Sequence, residues 1–212
     1  MALEFYEDYD RLIRLACPNY DYCLELIAKS IPPNVNSVLD IGSGSGNLIL
    51  SILKNHSRIK IYGIEAQQSL VEIAKAKIRD PNVRFIQGDI LSFGWPSAEC
   101  ITSSLTIHHF THEQKEKVFR KVYGASSCFL YFDRLKGRNE TEERQNLEYL
   151  FGYMRKNGLS EGMIQKAKEE IAKNDNPLTL KELNGLLKSI GFRYDILYLK
   201  HGFGLYFCTK KE

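Results

Sequence analysis

The 212-residue sequence has few of the features that define the more specialised classes of protein. Its five cysteines are odd in number and scattered, and no two of them have the C-x-x-C spacing. This argues against a disulfide framework or a zinc ribbon and predicts reduced thiols in a cytoplasmic protein. No apolar run reaches the roughly 18 residues of a membrane span, so no membrane association is expected. The acidic beginning, MALEFYEDYDRL, does not have the pattern of a signal peptide.

An excess of charge of one sign is also missing. The 29 lysines and arginines are balanced by 26 acidic residues, which gives a net charge of +3. A charge this small does not favour a nucleic-acid partner by itself. Hydrophobic residues make up 43% and charged residues 26% of the chain, as in ordinary globular proteins, so wholesale disorder is excluded.

What the sequence does contain is a regular alternation of short apolar runs and helical patterns. Such alternation predicts βαβ units, and therefore a parallel sheet with helices on both faces. Strands are predicted at 37–41, 60–64, 83–87, 100–105 and 127–133, and helices at 47–55, 69–78 and 112–123.

The two flanks of this region depart from strict alternation. Two polar helices, broken near Asn157-Gly158, follow the fifth strand. A helix closed by Gly191 and two strands, at 193–200 and 204–209, then predict an antiparallel hairpin at the sheet edge. We predict a single domain in four segments: a helical cover (1–34), a core (35–133), a helical insertion (134–176), and a C-terminal helix with the hairpin (177–212).

The most informative local motif follows the first strand, where residues 38–46 read VLDIGSGSG. Glycine has no Cβ, so a strand that ends in D-x-G-x-G-x-G lets the backbone pass close to a ligand. Acidic residues also end the next two strands, Glu65 in IYGIEAQ and Asp89 in QGDI. The segment 103–110, SSLTIHHF, follows the fourth strand. All of these lie at the carboxyl edge of the predicted sheet, where open parallel sheets bind ligands.

With these motifs the chain resembles the class I S-adenosylmethionine-dependent methyltransferases. The resemblance implies a Rossmann-like α/β fold with a mostly parallel seven-stranded sheet, and S-adenosylmethionine as cofactor. Glu65 would then hold the ribose, Asp89 and Ile90 the adenine, and Asp40 would orient the loop or the cofactor's amino group. The full set of cofactor-binding residues implied in this way is Asp40, Gly42, Ser43, Gly44, Gly46, Glu65, Ala66, Asp89, Ile90 and Leu105. A nicotinamide-dependent enzyme fits less well, because Asn47 occupies the third fingerprint position.

A narrower resemblance involves the flanks. Residues 9–14 (YDRLIR), 17–20 (CPNY) and 186–192 (LLKSIGF) are similar to segments of the carboxy-S-adenosylmethionine synthases. Those synthases use an arginine in the helix before the G-F pair to hold an extra carboxylate, whereas this chain has only Lys188 there. This difference favours ordinary methyl transfer.

Transfer to a hydroxyl or ammonium group also requires a base near the acceptor. His108 and His109 are the candidates, with Tyr20 as a gate or hydrogen-bond partner. In the alternative, neither histidine is catalytic: one packs under the loop and the other faces water. No nearby carboxylate or thiolate set completes a metal site with the histidines, so no metal is expected.

The predicted function is methyl transfer from S-adenosylmethionine to a small-molecule O, N or C acceptor. The alternatives are a carboxy-S-adenosylmethionine synthase-like enzyme, a tRNA-modifying enzyme, and a non-catalytic module that binds S-adenosylmethionine. In the insertion, a stripe of four apolar residues predicts a helix face that packs against the sheet or forms a homodimer interface. The more specific hypothesis is that this face belongs to a substrate lid. These four are Leu147, Leu150, Phe151 and Met154.

Overall fold

The computed structural model describes residues 9–210; residues 1–8 of the predicted helical cover and residues 211–212 of the C-terminal segment lie outside this range. Within it the chain forms seven strands, whose bounds are close to those predicted. The strands are β1 (Ser37–Ile41), β2 (Lys60–Glu65), β3 (Val83–Gln87), β4 (Cys100–Ser104), β5 (Cys128–Arg134), β6 (Phe192–Lys200) and β7 (Phe203–Lys210).

The same residues contain eight α-helices, and a short 3₁₀ turn, Ile107–His109, follows β4. Ser69, predicted as the cap of the second helix of the core, lies inside that helix, which begins at Gln68 with Gln67 at the N-cap position and no hydrogen bond from the Gln67 side chain. The helices are α1 (Tyr9–Ala16), α2 (Tyr20–Ser30), α3 (Asn47–Asn55), α4 (Gln68–Lys77), α5 (His112–Ala125), α6 (Glu140–Lys156), α7 (Glu161–Asn174) and α8 (Leu180–Ile190).

All seven strands belong to one sheet with the order β3-β2-β1-β4-β5-β7-β6. The first five strands are parallel to one another, whereas β7 pairs antiparallel with both β5 and β6. The predicted class I methyltransferase fold is therefore confirmed, including the C-terminal hairpin at the sheet edge and the two helices inserted after β5.

Burial explains why the strands read as continuous apolar runs. Every residue of β5 is buried, because helices cover both faces of the sheet. One core cluster contains apolar side chains of α2, α3, α6 and α7, and the other contains those of α5 and α8. Leu150 and Met154 of the predicted stripe are buried in the first cluster, and Phe151 packs partly against it.

Side-chain capping hydrogen bonds fix the starts of two helices, α5 and α8. Thr111 and Gln114 form a capping box at the start of α5, directly after the turn that carries the histidines. Thr179 and Glu182 do the same for α8. In the sheet, β2 lies on one side of β1 and β4 lies on the other, so the strand order reverses at β1. Open α/β sheets bind ligands in the crevice at the carboxyl ends of the strands where the order reverses. Across residues 9–210, no helix combines the length and apolarity needed to cross a membrane.

Candidate functional site

The glycine loop after β1 has a backbone that only glycine adopts without strain. Gly42 and Gly44 have φ angles of +70° and +52°. The amides of Gly42 and Ser43 donate to the carbonyl of Ile64, at 2.8 and 3.0 Å, which holds the loop against β2. A Cβ on Gly42 would lie 2.2 Å from Thr106, whereas a Cβ on Gly44 would meet no atom within 4 Å. The Gly44 side of the loop is therefore open to a ligand.

Glu65, at the end of β2, closes the loop from the other side. Its Oε2 accepts from the amide of Gly44 at 3.0 Å, and its Oε1 accepts from the amide of Gln67 at 2.9 Å. Each carboxylate oxygen still has a lone pair for a further donor. The carboxylate is thus fixed in position and able to accept ligand hydroxyls.

The loop and Glu65 border a cavity of about 850 Å³, here called the large cavity. Four of the predicted cofactor residues line it: Gly42, Gly44, Glu65 and Leu105. Ser43 is buried beside it, and its Oγ has no hydrogen-bond partner among the described residues. The other lining residues are Tyr9, Gln67, Leu70, Ser104, Thr106, His109, Lys166, Glu169 and Glu170.

Asp40 and Gly46 support the loop from the protein interior and do not line the large cavity. The buried carboxylate of Asp40 accepts from Thr102 Oγ1 at 2.8 Å. Burial raises the pKa of Asp40 to about 7, with the Thr102 hydrogen bond opposing and the Glu65 charge adding to the rise. Gly46 faces Ile78 and Phe85 in the core.

The predicted adenine side of the site lies at the end of β3. Gly88 donates to the carbonyl of Glu65 at 2.9 Å, which holds the Asp89 turn next to β2. The exposed carboxylate of Asp89 accepts from the amide of Leu91 at 2.9 Å, and Ile90 is buried in the core. Ala66 is exposed. None of Ala66, Asp89 and Ile90 is among the described lining residues of the large cavity, so their cofactor roles stay predictions.

A second cavity of about 270 Å³, here called the small cavity, adjoins the large one. Tyr9, Leu105, His109 and Glu170 line both cavities. Leu105 has a φ of +52°, a conformation that residues other than glycine rarely adopt. Most of the remaining wall is apolar and comes from α1, α6, α7, β7 and Cys17. These apolar residues are Ile13, Ala16, Cys17, Leu150, Met154, Ala167, Ile171 and Phe203.

The two histidines have different surroundings. The ring of His108 is buried and its Nδ1 bonds to Asp133, whose other oxygen accepts from the His108 amide at 2.9 Å. The side chain of His109 is 52% exposed, and its Nδ1 lies 3.1 Å from Asp175 Oδ1. The hydrogen bond to Asp175 raises the pKa of His109 above its ordinary value, although burial acts in the other direction. Nδ1 of His109 is therefore engaged by Asp175.

Four charged residues of this region were missed by the sequence analysis. Arg134 donates to Asp175 at 3.0 Å and also bonds to Glu143, and Asp133 anchors His108. The buried ammonium of Lys115 donates to the carbonyl of Asn176 at 2.7 Å and to that of Phe110. Asp133, at the end of β5, follows the pattern that drew attention to Glu65. No sequence signal marks Asp175, which reaches the site from the end of the insertion.

One group of side chains in the described chain has a spacing suited to a metal ion. The ligand atoms of His108, His109 and Asp175 lie within 4.8 Å of one another. However, Asp175 already accepts from Arg134 and bonds to His109, so the group is satisfied as a hydrogen-bond network. The expectation that no metal is bound stays a prediction.

Tyr20, the third predicted catalytic residue, does not line either cavity. It is buried, and its hydroxyl accepts from Asn47 Nδ2 at 3.4 Å. Tyr9 is the tyrosine that borders both cavities, and burial raises the pKa of Tyr9 to about 12. A hydrogen-bond role of Tyr20 toward a ligand remains a prediction.

The chain is similar to known families in sequence. Residues 38–126 match the model of a methyltransferase domain. Carboxy-S-adenosyl-L-methionine synthase from Nautilia profundicola is 23% identical over 211 residues, which cover 95% of this chain and 90% of that protein. The same enzyme from Wolinella succinogenes is 26% identical, with 96% and 90% coverage.

Solved structures show the same fold at low sequence identity. Human N-acetylserotonin methyltransferase, solved in complex with S-adenosylmethionine, has a TM-score of 0.66 and 17% identity. That match covers 99% of this chain, which spans 56% of the human one. The YcgJ protein of Bacillus subtilis has a TM-score of 0.66 and 18% identity, and the match covers 90% and 99% of the two chains.

Proposed function

The chain carries a methyltransferase domain and has the fold of the class I S-adenosylmethionine-dependent methyltransferases, and from this premise we propose that it methylates a small-molecule acceptor. The observation that carries the proposal is the junction of the two cavities, which share Tyr9, Leu105, His109 and Glu170. A cofactor in the large cavity and an acceptor in the small cavity would meet there. Methyl transfer is an in-line displacement, so the protein mainly positions its two ligands and excludes water.

The residues around the large cavity fit S-adenosylmethionine, which when bound supplies a methyl group on an electrophilic sulfonium. The volume of about 850 Å³ lies within the range of ligand sites. Glu65 is held in place to accept the two ribose hydroxyls. The open side of Gly44 leaves steric room for the ligand beside the loop.

His109 is the residue we propose as the base. In its neutral form Nδ1 donates to Asp175, which leaves Nε2 as the proton acceptor. A hydroxyl or ammonium group of an acceptor at the junction would transfer its proton to Nε2. His108, in contrast, is bound to Asp133 and acts as a support for the turn.

The small cavity supports an acceptor that is compact, largely apolar and without negative charge. Its volume is about 270 Å³ and most of its wall is apolar. Arg134 lines it, but its guanidinium already bonds to two carboxylates, Asp175 and Glu143. The guanidinium of Arg134 is therefore not free to bind a phosphorylated acceptor or a nucleic acid, which would also face the carboxylate of Glu170.

A carboxy-S-adenosylmethionine synthase-like activity is the second candidate, supported by the relatives that cover most of the chain. Such an activity needs a cation for the added carboxylate. Lys188 on α8 lies over the ring of Tyr194 and lines neither cavity. Lys166, on α7, does line the large cavity and is the cation available for this role.

Mass spectrometry and calorimetry separate these candidates. The purified protein is assayed in EDTA with S-adenosylmethionine and a panel of small phenols, amines and carboxylic acids. Methyl transfer predicts S-adenosylhomocysteine and a methylated acceptor, with both lost in Glu65→Ala. Carboxy-S-adenosylmethionine extracted from the protein would support the second candidate. Binding of S-adenosylhomocysteine without turnover would indicate a non-catalytic module, and no binding at all would overturn the proposal.

We also propose a cytoplasmic location. All five cysteines have free thiols and are buried, which suits a compartment that keeps thiols reduced.

A further inference from the structure

Helix α1 forms part of the wall of both cavities. Tyr9, its first described residue, borders the large and the small cavity, and Ile13 and Ala16 border the small one. The described part of the helix has eight residues, and a helix of this kind depends on tertiary contacts for its stability. What attaches α1 to the rest of the molecule therefore decides whether the small cavity is closed.

Asp10 connects α1 to the glycine loop and to α4. Its Oδ1 accepts from Ser45 Oγ at 2.5 Å and from Asn47 Nδ2 at 2.9 Å. Its Oδ2 accepts from Lys77 Nζ at 2.6 Å, and the same ammonium donates to Asn47 Oδ1 at 3.0 Å. Ser45 lies between Gly44 and Gly46 in the loop and is buried, as is Asn47 at the start of α3. One carboxylate thus ties the wall of the small cavity to the loop that borders the large one.

Electrostatics favour the charged form of Asp10. Burial raises the pKa of Asp10, but the hydrogen bonds and charge of Lys77, together with Ser45 and Asn47, outweigh it and hold the pKa below the usual value. The side chains of Asp10 and Lys77 are 32% and 22% exposed, so solvent screens the pair only in part. The connection is therefore maintained at neutral pH.

Other polar contacts attach α1 elsewhere. Arg14 pairs with Asp21 of α2 at 3.0 Å, on an exposed surface. The hydroxyl of Tyr153 on α6 donates to the carbonyl of Arg14 at 3.4 Å. Neither contact reaches the glycine loop, so they anchor the helix without linking it to the large cavity.

We propose that Asp10 is a positioning residue that couples occupation of the large cavity to closure of α1 over the small cavity. A ligand that orders Gly44 and Ser45 also orders the groups that hold Asp10, and by linkage a docked helix strengthens ligand binding. The inference rests on the proposed function in one respect, since it takes the large cavity as the S-adenosylmethionine site.

Hydrogen exchange of the peptide covering residues 9–17 tests the coupling, with S-adenosylhomocysteine as the probe ligand. In the wild-type protein we expect the ligand to slow exchange of this peptide about tenfold. In Asp10→Ala the slowing falls below about twofold while the ligand still binds, and Asp10→Asn, which keeps one acceptor oxygen, gives an intermediate value. Asp21→Asn is the matched control, because it removes a carboxylate contact to the same helix and should retain the wild-type effect.

Lys77→Met tests the same link from the α4 side and serves if Asp10→Ala does not fold. It should reduce the ligand-dependent slowing without an equal loss of melting temperature. Slowing in Asp10→Ala and Lys77→Met that equals the wild-type value would overturn the proposal, as would a wild-type protein that binds the ligand with no change at residues 9–17. Failure of the wild-type protein to bind the ligand would instead contradict the proposed cofactor site.

Discussion

At the scale of single residues, the two glycines of the loop have different tasks. Gly42 and Gly44 both have positive φ angles. Gly42 is packed against Thr106, whereas the space beside Gly44 is open toward the large cavity. Gly42 is therefore required by the fold of the loop, and Gly44 by the approach of a ligand.

Alanine substitutions separate these two tasks. Gly42→Ala should destabilise the protein by about 3 kcal/mol or more, from about 1–2 kcal/mol of backbone strain and the forced displacement of Thr106. Gly44→Ala should lower the free energy of unfolding by only about 1–2 kcal/mol, through backbone strain. It should nevertheless weaken S-adenosylhomocysteine binding, because the added methyl group enters the cavity. Urea unfolding and calorimetry measure the two effects. Equal losses of stability in both variants would contradict the distinction.

The pH dependence of turnover tests the role of His109. Only deprotonated His109 can accept a proton, so turnover should rise with pH through a pKa that the hydrogen bond to Asp175 holds above the ordinary histidine value. Asp175→Asn removes the charge that stabilises the imidazolium, so the rising limb should move to lower pH. The same pair stabilises the fold at acid pH, and that contribution declines as the pH rises through the pKa of the folded protein.

His109→Gln is the companion variant in this test. It should lower turnover by about 100-fold or more while the affinity for S-adenosylhomocysteine stays within about twofold. A pH profile that does not move in Asp175→Asn, together with full turnover in His109→Gln, would show that His109 is not the base.

At the scale of elements, the turn Ile107–His109 shows what the sequence can and cannot predict. Its place after β4 could be predicted, because strands, glycine turns and caps depend on residues close in the chain. Which histidine ring is buried and which is exposed could not be predicted, because Asp133 and Asp175, which bind the two rings, are distant from them in the chain. Lys115 adds a third distant contact by binding the carbonyl of Asn176 beneath the turn. Burial lowers the pKa of Lys115 to about 8, against the attraction of Asp133 and Asp175.

At the scale of the whole molecule, the sheet supplies one half of the site and the flanking helices supply the other. The glycine loop and Glu65 come from the core, whose positions the strand pattern predicts well. The small cavity instead depends on how α1, α6 and α7 pack over the sheet edge, and apolar periodicity does not specify that packing. For this reason the cofactor could be predicted from the sequence, whereas the shape of the proposed acceptor site required the structure.

Filling the small cavity should separate acceptor chemistry from cofactor binding. Met154 is buried on α6 and lines the small cavity but not the large one. In Met154→Trp the larger side chain can extend into the small cavity. We therefore expect the free energy of unfolding to fall by less than about 3 kcal/mol, the upper end for overpacking. Turnover of the acceptor identified in the panel should fall more than tenfold, with S-adenosylhomocysteine affinity within about twofold of wild type. Tyr149→Trp, on the same helix but outside both cavities, is the control. Retained turnover in Met154→Trp would place the acceptor elsewhere, and lost affinity for S-adenosylhomocysteine would mean that the two cavities do not divide the ligands as proposed.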